Sequence, residues 1–171
     1  MHLQPDRLKK RKQIGGAAAG VLLVYWLVFH VFVSDETLIR RALVTAAEGF
    51  NETHKSQCLS VFAEDYREEL TGLTQDMIGQ RLVYLFLKEK HPDMGTFRYQ
   101  IELVEDTLKI DIADASPKTA KISLLARFSR LTDGEFKPVW DVEVEGEMEK
   151  TSDGWKLKRS RHRGVSGAFP F

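Results

Sequence analysis

The hydrophobic pattern of this chain changes period twice, and each change marks a new kind of element. Residues Ile14 to Val33 read I-G-G-A-A-A-G-V-L-L-V-Y-W-L-V-F-H-V-F-V, without a charge. As a helix rising ~1.5 Å per residue, the run spans roughly 30 Å, the thickness of a hydrocarbon core. From Asp35 the apolar residues recur at three- and four-residue spacing: Leu38, Ile39, Ala42, Leu43, Ala46, Ala47 and Phe50. That is one face of a helix, which Ser34 or Asp35 can cap and Asn51 can stop. A shorter helix is predicted around Lys55 to Ala63, with Leu59 and Phe62 inward. Thr74 then caps a third, T-Q-D-M-I-G-Q-R-L-V-Y-L-F-L-K-E-K-H, with Met77, Ile78, Leu82, Leu85 and Phe86 as its apolar face and Pro92 as its end.

Beyond Pro92 the period falls to two. F-R-Y-Q-I-E-L-V sets Phe97, Tyr99, Ile101 and Leu103 on one side, and L-K-I-D-I repeats the pattern with Leu108, Ile110 and Ile112. Further strands run from Ala120 to Leu131, from Pro138 to Lys150 and from Trp155 to about His162. Asp133-Gly134 and Asp153-Gly154 are hairpin turns between them. Gly146, in mid-strand, marks a bulge or a close approach of backbone. Helices followed by an antiparallel meander predict an α+β domain, with about three helices packed on one face of a curved antiparallel sheet.

Charge adds orientation. Arg7, Lys9, Lys10, Arg11 and Lys12 precede the apolar run, and Ser34-Asp35-Glu36 follow it. The positive-inside rule then predicts a single-pass inner-membrane protein, with a cytoplasmic basic segment (1–13), an anchor (14–33) and a periplasmic domain (35–163). Residues 164–171, G-V-S-G-A-F-P-F, form a C-terminal tail. The apolar core is longer than that of a signal peptide, and V-F-V-S-D is a poor cleavage site, so the anchor is read as uncleaved. Gly16-x-x-x-Gly20 fits close helix packing, one route to a homodimer. Lys+Arg and Asp+Glu number 25 each. The balance leaves no global basic field for nucleic acid.

Candidate chemistry is sparse. The single cysteine, Cys58, lies in Q-C-L-S-V-F and reads as a small buried hydrophobe. The five histidines are scattered, with no pair at metal-ligand spacing, so neither a metal nor a cofactor is expected. Asn51-Glu52-Thr53 matches a glycosylation sequon, but helix termination is the reading preferred for Asn51.

From Asp35 onward the sequence resembles the nuclear transport factor 2-like superfamily, the cone-shaped α+β fold. The resemblance is carried by D-E-T-L-I-R-R-A-L-V-T-A-A-E-G-F-N, by L-S-V-F-A-E-D-Y and by the hairpin E-K-T-S-D-G-W-K-L. It implies a pocket rather than one activity, since the superfamily holds isomerases, dehydratases and non-catalytic binding modules. It also makes Asp65 and Tyr66, placed at the end of the second helix, the catalytic candidates.

The last hairpin yields the binding candidates. A regular register pairs Glu149 with Lys156, Glu147 with Lys158 and Glu145 with Ser160, each opposite-charge pair contributing roughly 0.2–1 kcal/mol. Asp141, Glu143, Glu145, Glu147 and Glu149 then form a solvated acidic stripe. Arg159 and Arg161 continue the opposite, Trp155–Leu157 face as a pocket mouth for an anion. Trp140, Trp155 and Tyr99 are read as lining that pocket. Two functions follow as expectations. One is a membrane-anchored, non-catalytic binding or assembly module with a protein partner, a second copy or a small apolar or anionic ligand. The other is a small-molecule isomerase or hydro-lyase with an acid/tyrosine pair in the cone.

Overall fold

The computed structural model describes residues 33–90, 95–114 and 116–168. Apart from Val33, the apolar run of 14–33 lies outside those residues, as does Pro92. Among the described residues no helix is long and apolar enough to cross a membrane.

Helix α1 spans Asp35–Asn51. Ser34 caps it, its hydroxyl accepting the Thr37 amide at 3.2 Å. Ile39 on its apolar face has no solvent exposure, and Leu38, Ala42, Leu43 and Ala46 pack beside it on the main core. The chain reverses within a few residues through Thr53, at φ 60°, and the His54 amide donates to the Gly49 carbonyl at 2.7 Å. Helix α2 (Lys55–Leu59) follows, then strand β1 (Phe62–Glu68) and helix α3 (Gln75–Lys88). Thr74 caps α3 as its sequence predicts, accepting the Met77 amide.

The remaining strands are β2 (Tyr99–Ala113), β3 (Thr119–Thr132), β4 (Glu135–Thr151) and β5 (Gly154–Gly167). They form one sheet in the order β1-β5-β4-β3-β2. β1 runs parallel to β5, and the other pairs are antiparallel. Asp133 and Gly134 both take positive φ, 54° and 81°, the two-residue turn whose twist matches the flanking strands.

Inner residues of the sheet, among them Ala120, Ile122, Leu124, Ala126, Val142, Met148, Trp155 and Leu157, join Ile39, Val61 and Tyr66 in one buried cluster. A second cluster of Phe50, Cys58, Leu85, Phe86 and Tyr99 fills the other end.

Three readings of the sequence are corrected. The second helix stops at Leu59, and Phe62–Glu68 is a strand, so Asp65 and Tyr66 sit in the sheet rather than at a helix end. Its partner β5 is some ninety residues away, and no local pattern announces a parallel pairing. The two strands predicted between Phe97 and Ile112 are one, interrupted by a bulge between Val104 and Lys109. There the Thr107 hydroxyl donates to the Val104 carbonyl and accepts the Leu125 amide, satisfying groups the ladder leaves open. Finally, β5 runs on to Gly167, past His162.

Asn51 does more than end a helix. Its side-chain amide donates to the Ile101 carbonyl at 3.0 Å and its oxygen accepts the Ile101 amide at 2.7 Å. It thereby ties α1 to the edge strand β2, a use that occupies the amide a glycan would need.

Candidate functional site

The β4–β5 hairpin decides which side chains face where. Its first pairs, Thr151 with Gly154 and Glu149 with Lys156, follow the simple register. Met148 then opposes Leu157 but Glu147 opposes Arg159, so Lys158 is an extra residue, a bulge. One inserted residue reverses the alternation beyond it, until a second shift at Val165 restores it. Ser160 and His162 therefore oppose Gly146 and Val144 on the inner side. Arg159, Arg161 and Arg163 oppose Glu147, Glu145 and Glu143 on the outer side. The expectation that Arg159 and Arg161 continue the Trp155–Leu157 face is corrected, as are the pairs Glu147–Lys158 and Glu145–Ser160. Gly146 stands beside this bulge, where a Cβ would lie 2.6 Å from Leu157 Cδ1 and 3.2 Å from the Arg159 carbonyl oxygen.

The outer face is a lattice of charge. The acidic stripe of β4 lies there, as its alternation predicts, but arginines rather than lysines answer it. Arg161 Nε donates to Glu145 Oε2 at 2.6 Å, Arg163 pairs with Glu143, and Arg127 Nε donates to Asp141 at 2.9 Å. Lys158, turned out by the bulge, pairs with Asp65 at 2.5 Å, and its hydrogen bond holds that exposed carboxyl below the usual range. Asp65 is thus a surface ion-pair partner. One row crosses four strands, Asp111–Lys121–Glu147–Arg159. It lines an open groove of about 450 Å³. Among the described residues Arg159 has no ion-pair partner, which distinguishes it from Arg161 and Arg163.

The inner side holds a polar group that the alternation reading misses. Tyr66 Oη and Ser160 Oγ share a hydrogen bond of 2.7 Å, both residues being buried. Burial pushes the Tyr66 phenol above its ordinary pKa, against the opposing effect of the Ser160 bond. Two residues on, Glu68 is only 3% exposed. Its Oε2 accepts both the amide and the hydroxyl of Thr71, at 2.5 Å each, while Oε1 makes no hydrogen bond. His162 Nδ1 lies 3.3 Å from Oε1, and the Trp140 indole meets the imidazole edge to face at 6.4 Å. Glu68, Ser160 and His162 were not legible as a site, because their meeting depends on the parallel β1–β5 pairing and on the bulge.

Burial opposes the charge on Glu68, but the Thr71 hydroxyl and amide, the Leu70 amide and nearby His162 outweigh it and hold the carboxyl below the usual range. A carboxyl depressed on folding stabilises the fold above its unfolded pKa of roughly 4.3, and this is lost as pH falls through the folded value. Glu68→Gln keeps an acceptor for Thr71 and removes the titration. Melting temperatures from pH 7 to pH 3 will place wild type above the variant at neutral pH, with the gap closing in the acid range. A constant gap would show that Glu68 makes no titrating contribution.

Trp155, Trp140 and Tyr99 pack in the two core clusters. Trp155 is 3% exposed and Tyr99 2%. Tyr99 carries the Arg130 guanidinium 5.6 Å from its ring centroid, and Trp140 stacks on Phe128 at 5.1 Å. Phe50 is ringed by Phe86, Phe97 and Phe128 at 5.9, 5.3 and 5.8 Å, and Phe86 meets Phe97 at 5.2 Å, all edge to face. Cys58 is buried, and burial pushes its thiol up to about 11, which removes the thiolate a nucleophile needs.

No protein-family model matches the sequence, and no curated protein matches it. Solved structures do. A nuclear transport factor 2-like protein with a cystatin-like fold from Novosphingobium aromaticivorans superposes with a TM-score of 0.59 at 13% identity, covering 89% of this chain and 90% of that one. A protein of unknown function with a cystatin-like fold from Nostoc punctiforme gives 0.58 at 10% identity over 79% and 93% of the two chains. A ketosteroid isomerase-like protein from Erwinia carotovora atroseptica gives 0.52 at 13% identity over 79% and 99%. At these identities the likeness is one of fold: the chain has the nuclear transport factor 2-like, cystatin-like α+β architecture.

Proposed function

We propose that this chain is a single-pass, membrane-anchored binding or assembly module. Its domain stands on the periplasmic side of the inner membrane and engages a protein partner through the outer face of its sheet. The observation that carries the reading is the filling of the sheet's inner side. Phe50, Phe86, Phe97 and Phe128 interlock edge to face at one end of it, and Ile39, Val61, Tyr66 and the buried residues of β3, β4 and β5 close the other. The basic segment before the apolar run and Ser34-Asp35-Glu36 after it support the anchor and its orientation. On the outer face Arg159 offers a planar fork of donors to a partner's carboxylate, beside a groove of about 450 Å³.

The isomerase or hydro-lyase reading draws on one observation, the buried Glu68 beside Tyr66 and His162. It moves the acid of the acid/tyrosine pair from Asp65, which faces water, to Glu68. Its weakness is chemical. A general base works best with a pKa near the operating pH, and the contacts of Glu68 shift it the other way. Neither reading calls on a metal or cofactor.

The test is copurification of the full chain from detergent-solubilised membranes, comparing wild type with Arg159→Glu. The binding-module reading expects a partner with wild type, weakened on the order of tenfold by the reversed charge, at an unchanged melting temperature. A chain recovered in the soluble fraction, or a partner indifferent to the reversal, overturns it.

A further inference from the structure

Helix α3 carries two apolar faces, and only one is used. Ile78, Leu82, Leu85 and Phe86 turn toward the core. On the opposite side Val83, Tyr84 and Leu87 are 40%, 62% and 71% exposed, with Met77 at 42% one turn and a half earlier. Residues 83, 84 and 87 stand at i, i+1 and i+4, so the three side chains form one patch at the C-terminal half of the helix.

Two cations border that patch. Lys88 Nζ lies 5.3 Å from the centroid of the Tyr84 ring, and Arg81 is exposed one turn before. Among the described residues neither has an ion-pair partner. The acid of the exposed face is Asp76, at the far, N-terminal end. An apolar strip containing an aromatic, edged by unneutralised cations, matches the boundary of a bilayer. There acyl chains begin beneath anionic headgroups, and Tyr, Leu and snorkelling Lys or Arg are favoured.

The position of the proposed anchor says why a membrane, and not a soluble partner, is within reach. The apolar run ends at Val33, and helix α1 begins at Asp35. A one-residue link holds the first turn of the domain within a few ångströms of the headgroups. Phe50, which meets Phe86 of α3 at 5.9 Å, lies ~22 Å along α1 from Asp35, so a lipid contact by α3 requires α1 to lie along the membrane plane. Tethering sets a high effective concentration, and a contact too weak to recruit a free domain suffices to orient a tethered one.

We propose that the outward face of α3 is a lipid-contacting surface, with Val83, Tyr84 and Leu87 entering the headgroup–acyl boundary and Arg81 and Lys88 paired with anionic headgroups. This orients the domain on the bilayer. It rests on the anchor reading under "Proposed function", which its test must separate.

The test uses the full chain, with Cys58→Ala, reconstituted in vesicles of phosphatidylethanolamine and phosphatidylglycerol. A fluorophore is placed at Leu87→Cys or, as control, at Lys137→Cys, and lipids with shallow spin labels serve as quenchers. The contact predicts at least twofold stronger quenching at position 87 than at 137. Val83→Asp/Tyr84→Asp should return it to the control level, and neutral phosphatidylcholine should lower it. Equal quenching at both positions, in protein that stays with the vesicles through an alkaline carbonate wash, overturns the contact and leaves the anchor standing. Protein stripped from the vesicles by the wash overturns the anchor reading itself. Shielding of position 87 that persists in detergent and grows with protein concentration assigns the face to a second copy and overturns the lipid contact.

Discussion

Gly49→Ala is expected to lose about 3 kcal/mol of stability, the upper range for forcing atoms into a packed site. A Cβ at residue 49 would stand 2.7 Å from the Cys58 backbone nitrogen and 2.8 Å from Gln57 Cβ. The obstacle is mainly the backbone of α2, which cannot rotate away as a side-chain end can. The same carbonyl of Gly49 accepts the His54 amide that closes the α1–α2 turn, so separating the helices also breaks that bond. Gly79→Ala is the matched control, because its Cβ would meet only the ends of Leu59 and Lys55, at 3.0 Å. Those ends can yield, and alanine gains helix propensity of up to about 1 kcal/mol over glycine. Thermal melts should show Gly49→Ala well below wild type and Gly79→Ala at or above it. Equal losses would mean that the helices do not approach as closely as described.

Asn51→Ala should cost about 2 kcal/mol through a different mechanism. It removes no core volume but strips partners from both the amide and the carbonyl of Ile101, at the exposed margin of β2. A part-buried backbone group left unpaired costs roughly 1–3 kcal/mol, with the lower end applying near solvent. Asn51→Asp is informative beside it: a carboxylate can still accept the Ile101 amide but repels the carbonyl. Its loss should be comparable to that of alanine, whereas at a residue that merely ends a helix Asp would cost only the ~0.3–1 kcal/mol of a carboxylate at the negative end of the helix dipole. Chemical denaturation distinguishes the two cases, and hydrogen exchange at the Ile101 amide should rise in Asn51→Ala more than in Asn51→Asp, which keeps its acceptor.

The ease with which the fold can be read differs sharply between its local and its non-local features. The α1 face, the Thr74 cap, the Asp133-Gly134 hairpin and the β3 and β4 alternation are local patterns, and each appears as its residues predict. Strand β1 was hidden because Phe62–Glu68 pairs in parallel with a strand at the far end of the chain. The candidate site suffered more, because a single bulged residue, Lys158, moves the β5 side chains from Arg159 to Gly164 to the other face.

A signal for that bulge is nonetheless present. Glu143, Glu145 and Glu147 and Arg159, Arg161 and Arg163 all occupy odd positions. A regular hairpin through Thr151 and Gly154 pairs odd with even, which would set the arginine row against the core-facing row of β4. Buried guanidinium groups without counter-ions are costly, and one extra residue converts the row into cross-strand ion pairs. Charge matching across a hairpin therefore argues for register where hydrophobic alternation alone is ambiguous. Met77, read as inward, is 42% exposed for a related reason. Apolar spacing on α3 supports two faces, and only packing tells them apart.

The central claim is that partners meet the outer face of the sheet while its inner side is filled. Site-specific photo-crosslinking in intact cells tests it most directly, with a photoreactive phenylalanine analogue placed in the full-length chain at Arg159, Lys121 or, for the inner side, Phe62. The account predicts membrane-associated adducts from positions 159 and 121 and none from position 62. Adducts from position 62 alone, or none from any of the three in correctly inserted protein, would contradict it.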